Sequence, residues 1–344
     1  MKVALCVGYY ERGGFLTVIN MLAKNLVELG INVDITARVV RDGQFLRDCL
    51  RPKIMSPTEL FNKRHEYDVI HIHQTYPYTY ELVKRKFTNF VLTFHGHTPI
   101  RLLPGLVGKI EGFFLVLAYK RILPKIRIIT SISRHTQECL RRVYNVDSIY
   151  IPNGVDISLF RPIKGMEKTG YPVILNSTSW NKFKGVDILI DHFRYLKEYY
   201  PEAKLLLKCP PHQVIKRLLK LGFKENKDFE ILPYVPYSEL PVQYNSSDLY
   251  LLTSRHEGFG MPILESMACG IPVLAYHSLD DARIEHIVNS QAGKLYKTKD
   301  ELIACIEEIL RNYKSYREKA ISYARKFDWK YIVKKYLEVY WQLT

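Results

Sequence analysis

Two glutamates, Glu257 and Glu265, bracket the run Gly258-Phe-Gly-Met-Pro-Ile-Leu264. Upstream, the apolar run Leu249 to Leu252 reads as a strand. Downstream, Pro262 stands where the first turn of a helix accepts proline, since no N–H is needed there. A strand that feeds a glycine-bearing loop into a helix start offers unpaired backbone N–H groups and a positive helix end, which suit an anion, typically a phosphate. A carboxylate at each end of that cradle would be repelled by phosphate, so its useful partners are hydroxyls, which donate to it. The pattern suggests a sugar on both sides of a phosphate, as in a nucleotide-sugar. As a bare pattern this is only moderately specific, because Glu265 could simply complement the helix N-terminus.

Other residues invite weaker readings. His71 with His73, and His95 with His97, are spaced i and i+2, which on a strand puts both rings on one face. No carboxylate or thiol accompanies either pair at metal-ligand spacing, so no bound metal is expected. The six cysteines are dispersed without a C-x-x-C pair and read as reduced thiols.

The 344-residue chain carries 50 Lys and Arg against 35 Asp and Glu, a net charge of +15. Residues 1–150 hold +10 of that excess. A basic surface suits nucleic acid, anionic lipid or a phosphorylated ligand. Nucleic acid is not expected, because the chain has no helix-turn-helix, zinc-finger spacing or aromatic RNP motif. The segment Arg101 to Leu123 is apolar with basic ends, and two readings are open for it. It is either an interior helix packed on a sheet or a surface helix docked on an anionic membrane leaflet. The longest uncharged apolar run, Gly112 to Tyr119, is far shorter than the ~18–20 residues that span a bilayer. With no signal-peptide pattern at Met1 to Val7, the expected location is cytoplasmic, with peripheral docking on the inner face of the membrane under the second reading.

The elements that position these residues alternate strand and helix from end to end, as in parallel α/β sheets. Strands are expected at Lys2–Val7, Val33–Val39, Val69–His73, Phe90–Phe94, Ile126–Ser131 and Ser148–Ile151. The alternation stops at Pro152 to Gly170 and resumes at Val173–Thr178, Leu205–Lys208, Phe229–Leu232, Leu249–Leu252, Pro272–Ala275 and Gly293–Leu295. Length and pattern give two doubly wound domains in series, residues 1–160 and 161–327, followed by a terminal helical segment, 328–344. Such folds bind ligands at the carboxyl ends of their strands.

Glu257-Gly-Phe-Gly with Pro262 and Glu265, then Met267-Ala-Cys-Gly-Ile-Pro-Val273, resembles the carboxylate-x7-carboxylate signature of retaining GT-B glycosyltransferases, in particular family 4. Gly13-Gly14, Phe94-His95-Gly96, Ile151-Pro-Asn-Gly-Val-Asp156, Lys184-Gly185 and Phe327-Asp-Trp329 agree with that family in order and position. The resemblance implies two Rossmann-like domains facing a cleft, with the last helix returning to the first domain. It implies a nucleotide-diphosphate-sugar donor, a glycan or lipid-linked acceptor hydroxyl, and no cofactor. It also implies roles on matching positions. Glu265 would accept from ribose hydroxyls and Glu257 from the donor sugar; Lys184 would balance the departing diphosphate; His95 would hold the transferred sugar. Gly258, Phe259, Gly260 and Met261 would line the donor, Tyr234 and Val235 would reach the base, and Gly13 and Gly14 would let the first loop approach closely. One departure stands out: the family's Gly-Arg pair is replaced by Thr178 and Ser179, leaving Ser179 and Lys182 to complete the donor grip. Acceptor-free epimerisation of a nucleotide-sugar and non-catalytic binding of a sugar-nucleotide or lipid are the alternatives.

Overall fold

The computed structural model describes residues 1–10, 14–41, 51–87, 89–177, 180 and 182–344. The chain forms two compact units: Met1–Gly154 together with Phe327–Thr344, and Val155–Lys326.

Each unit is built on one fully parallel sheet. In the first, strands β1 (Lys2–Tyr10), β2 (Asn32–Val40), β3 (Lys53–Ile54), β4 (Val69–His73), β5 (Val91–Phe94), β6 (Ile128–Ser131) and β7 (Ile149–Tyr150) lie in the order β3-β2-β1-β4-β5-β6-β7. In the second, β8 (Val173–Asn176), β9 (Lys204–Lys208), β10 (Phe229–Leu232), β11 (Leu249–Leu252), β12 (Val273–Tyr276) and β13 (Gly293–Tyr296) take the order β10-β9-β8-β11-β12-β13. Helices cover parallel strands on both faces, so the central strands read as continuous apolar runs and not as alternations. Val3 to Val7 of β1 and all of β11 are buried.

The two-residue strand β3 was not expected. It pairs with Thr36 and Ala37 at the sheet edge, and two residues carry no periodicity to read. Phe90 lies just outside β5, and Thr178 falls outside the described residues.

The last helix, Trp329–Tyr340, belongs to the first unit. Asp328 caps it by accepting from the Lys330 N–H, and seven of its twelve residues are buried. Gly154 is required opposite it: an added Cβ would sit 2.5 Å from the Trp329 ring. Further along, the Tyr340 hydroxyl meets His71 Nδ1 at 2.7 Å, which ties the helix to β4.

The interior reading of residues 101–123 does not hold. The helix Gly105–Ile122 buries only Tyr119 and Ile122, and most of its large apolar side chains face solvent. The reason lies in its packed side, where Gly108 and Gly112 receive the Leu103-Pro104 segment, so the contact is narrow.

Candidate active site

In the second unit, β11 runs into the loop 253–260, and the helix Met261–Ala268 begins at Gly260. Gly260 sits at φ +91°, a left-handed conformation that side-chain-bearing residues rarely take, and a Cβ there would meet Ile263 at 2.8 Å. No side chain caps this helix start, and Pro262 sits in its first turn. Phe259 is buried, with its ring edge-on to His286 at 4.7 Å, and Met261 is buried beside it.

Both glutamates are buried, and each has a built environment. Glu257 Oε1 accepts from Lys184 Nζ at 2.7 Å, with side-chain exposures of 18% for the lysine and 8% for the glutamate. The Glu257 N–H donates to Asp281 Oδ2 at 2.8 Å. Glu265 Oε2 accepts from the Tyr244 hydroxyl at 2.6 Å. Burial raises the Glu265 carboxyl above its ordinary range, opposed by the Tyr244 hydrogen bond and by Lys208.

Lys184 closes the short turn Lys182–Lys184, ahead of the helix Val186–Tyr199. Gly185 follows at φ +72°, packed so tightly that a Cβ would lie 1.9 Å from the Thr253 carbonyl oxygen. The Arg255 N–H donates to the Phe183 carbonyl at 2.7 Å, and the Arg255 guanidinium grips Asp187 through two bonds of 2.8 and 2.6 Å. The Lys184 turn and the Glu257 loop are thus fastened together by backbone contact.

Sequence reasoning missed the support beneath this loop. Arg283, fully buried, donates to Asp281 Oδ1 at 2.8 Å, to Asp281 Oδ2, and to the carbonyls of Ser254 and Tyr276. Asp281 also caps the helix Ala282–Ser290 by accepting from the Arg283 N–H at 3.0 Å. The readable signal was an N-cap aspartate before an apolar helical run. Tyr244 gave no such signal.

Tyr234 and Val235 follow β10, with Tyr234 42% exposed; the Pro233 carbonyl before them accepts from Gln243 Nε2 at 2.8 Å. Lys182 opens the Lys182–Lys184 turn, and Ser179 lies outside the described residues.

In the first unit, Gly14 begins the helix Gly14–Glu28, while Gly13 lies outside the described residues. His95 follows β5. Its Nε2 lies 3.1 Å from His73 Nδ1, its N–H donates to Gln74 Oε1, and the Phe15 ring meets it edge-on at 4.7 Å. His71 continues the row, its ring tilted 37° to that of His73 with centroids 4.1 Å apart, and bonded through Nε2 to the Thr93 hydroxyl at 2.6 Å. Burial lowers the imidazoles of His71 and His95 to about 3, so both are neutral at pH 7. His73, buried, is held down in the same direction, and its Nε2 meets no hydrogen-bond partner. Among the described residues, no group of three His, Cys, Asp or Glu side chains is arranged to hold a metal ion.

These buried histidines set a pH dependence. An unfolded histidine takes up its proton near 6.5, and folded His71 resists protonation to about 3. Below about pH 6.5 the unfolded chain binds more protons, so stability falls with pH by up to ~1.4 kcal/mol per pH unit for each such histidine. Urea midpoints should fall between pH 7 and pH 5, and a flat profile there would contradict neutral burial.

Residues 12–159 match the family model described as Glycosyltransferase Family 4, and residues 161–327 that described as Glycosyl transferases group 1. The chain belongs to the family 4 glycosyltransferases of the GT-B fold. A relative from Thermosipho melanesiensis described as a probable sucrose-phosphate synthase is 30% identical over 207 residues, covering 56% of this chain and 47% of its own length. This chain thus spans about half of that relative. Among solved structures, sucrose-phosphate synthase from Thermosynechococcus elongatus superposes with a TM-score of 0.79 at 18% identity, over 99% of this chain and 98% of that one. The Anabaena protein HepE, solved in complex with UDP-glucose, superposes with a TM-score of 0.73 at 18% identity, over 98% and 99%. At these identities the superpositions speak for the fold. Within it, the family signature falls on the loop and helix start that carry Glu257, Gly260 and Glu265.

Proposed function

We propose that the protein is a retaining hexosyltransferase that moves a sugar from a nucleotide-diphosphate donor to a hydroxyl of a glycan or lipid-linked acceptor. The observation that carries this reading is the fixed Lys184–Glu257 pair, 2.7 Å apart, beside the Gly260 helix start and the buried Glu265. A cation, a glycine-bearing turn entering a helix start and two carboxylates in one unit suit a diphosphate with a sugar on either side. HepE, a structural neighbour, holds UDP-glucose.

The second unit takes the donor. Glu265 accepts from ribose hydroxyls, with Tyr244 holding its other oxygen, and the carbonyls and amides around Tyr234 and Val235 meet the base. Gly258 and Phe259 offer amides to the sugar and diphosphate, Ser179 and Lys182 extend the grip on the phosphates, and Met261 borders the sugar. Glu257 accepts from hydroxyls of the transferred sugar. Lys184 stabilises the charge that develops on the leaving diphosphate, which is where a fixed cation lowers the barrier most. The first unit takes the acceptor, Gly14 leaves room at the start of its first helix, Gly13 shares the role that the family resemblance gives the Gly13-Gly14 pair, and neutral His95 serves as a hydrogen-bonding partner of the sugar. Retention of configuration is supported by the match to the signature of retaining enzymes, and no cofactor is required.

Glu265→Gln tests the ribose assignment. Hydrogen bonds to a charged group contribute ~1.5–3 kcal/mol, so donor affinity should fall about tenfold to a hundredfold with little change in turnover at saturation. Calorimetric titration with the donor and with the free nucleoside diphosphate measures this. Unchanged affinity for both would sink the assignment.

A further inference from the structure

The helix Gly105–Ile122 is apolar on every side, yet only one side is packed. Gly108, Gly112, Val116, Tyr119 and Ile122 recur at three- and four-residue spacing and face the protein. Tyr119 meets Tyr76 and Phe94 edge-on, and a Cβ at Gly112 would come within 2.3 Å of Leu103. The opposite side repeats the same spacing with Leu106, Ile110, Phe113 and Leu117, flanked by Val107 and Phe114. Their exposures are 74%, 47%, 52%, 38%, 69% and 62%. A contiguous apolar face of this kind on one helix marks a surface that is covered in use.

Charge selects what covers it. Arg101, Lys109, Lys120, Arg121, Lys125 and Arg127 are all exposed around this helix, and Glu111 is the only acidic residue between positions 101 and 127. Pairing two copies face to face would bring two such cation sets together, whereas anionic headgroups neutralise them. No helix among the described residues is long and apolar enough to cross a membrane, so the geometry allowed to this one is in the plane of the interface. On the neighbouring helix Tyr76–Lys84, Tyr80 is 42% exposed, with Lys84 Nζ 5.8 Å from its ring centroid. Such an amphipathic aromatic suits the headgroup level.

We propose that the helix Gly105–Ile122 docks the first unit on an anionic bilayer surface, with Leu106, Ile110, Phe113 and Leu117 at the acyl boundary and the surrounding cations at the headgroup phosphates. The docking needs no sugar transfer, so its failure would leave the enzymatic reading standing, and the reverse holds as well.

Vesicle co-sedimentation of the full chain decides it. Phosphatidylcholine vesicles containing an equal part of phosphatidylglycerol should bind the protein about tenfold or more better than phosphatidylcholine alone, and added salt should weaken that binding. Leu106→Glu/Phe113→Glu should abolish binding while leaving the thermal midpoint unchanged, since both side chains point into solvent. Lys120→Ala/Arg121→Ala should lower binding to the anionic vesicles only. Equal binding to both vesicle types, or undiminished binding by the glutamate variant, would overturn the proposal. So would a wild-type dimer in sedimentation velocity that the glutamate variant dissociates, because the face would then be covered by a second copy.

Discussion

Lys184→Met is expected to lower turnover about a hundredfold to a thousandfold, the loss seen when one pre-aimed stabilising group is removed from a reacting centre. The expectation rests on how firmly the amine is placed. Gly185 is wedged against the Thr253 carbonyl, Arg255 bonds the Phe183 carbonyl, and Glu257 holds Lys184 Nζ at 2.7 Å. Methionine keeps the stem and loses the charge, so packing is retained while the carboxylate of Glu257 loses its cation. Affinity for the nucleoside diphosphate should weaken as well. Lys184→Arg should recover only part of the rate, because a planar guanidinium cannot occupy the position of a compact ammonium. Steady-state kinetics with saturating donor measures the effect. A turnover within threefold of the wild type would remove Lys184 from the chemistry.

Arg283→Met carries the largest expected cost in stability. The guanidinium is fully buried and holds Asp281 through two bonds, together with the carbonyls of Ser254 and Tyr276. Removing one partner of a buried ion pair leaves the other charge uncompensated, at a cost of about 3–5 kcal/mol. For a unit of this size that corresponds to a fall of roughly 6–20 °C in melting temperature. Because Asp281 also accepts from the Glu257 N–H and caps the next helix, donor binding should suffer in the molecules that remain folded. Scanning calorimetry with and without nucleotide reads both effects. A melting temperature within 2 °C of the wild type would show that Asp281 finds another partner.

Much of this architecture was legible in the sequence because it is local. A continuous apolar run such as Leu249 to Leu252 identifies a buried parallel strand, and Gly260 with Pro262 identifies a loop entering a helix. The two glutamates sit eight residues apart on that one local element, so their spacing could be matched to a known signature without knowledge of the fold. The groups that support them come from elsewhere in the chain. Tyr244 reaches Glu265 from a different helix, and Asp281 reaches the Glu257 amide across 24 residues. The Asp281 and Arg283 charges look like part of a solvated turn until the fold buries them, while neighbouring Asp280 stays exposed.

His71 illustrates the same limit at longer range, since its Tyr340 partner lies 269 residues away. The helix Gly105–Ile122 shows a different one. Its apolar residues surround the axis, so periodicity did not say which side would pack; the tertiary contacts of Tyr119 with Tyr76 and Phe94 and the burial of Ile122 decide that. The edge strand β3 is too short to read in any sequence.

The central claim, that the second unit holds a nucleotide-sugar across Lys184, Glu257 and Glu265, is tested most directly by thermal shift of the purified protein against UDP-, GDP-, ADP- and dTDP-sugars. A ligand that binds only the folded chain raises its apparent stability by an amount set by concentration over Kd. The account predicts a selective rise with one donor class that shrinks or disappears in Glu265→Gln. No rise with any of the four, or an equal rise in the variant, would contradict it.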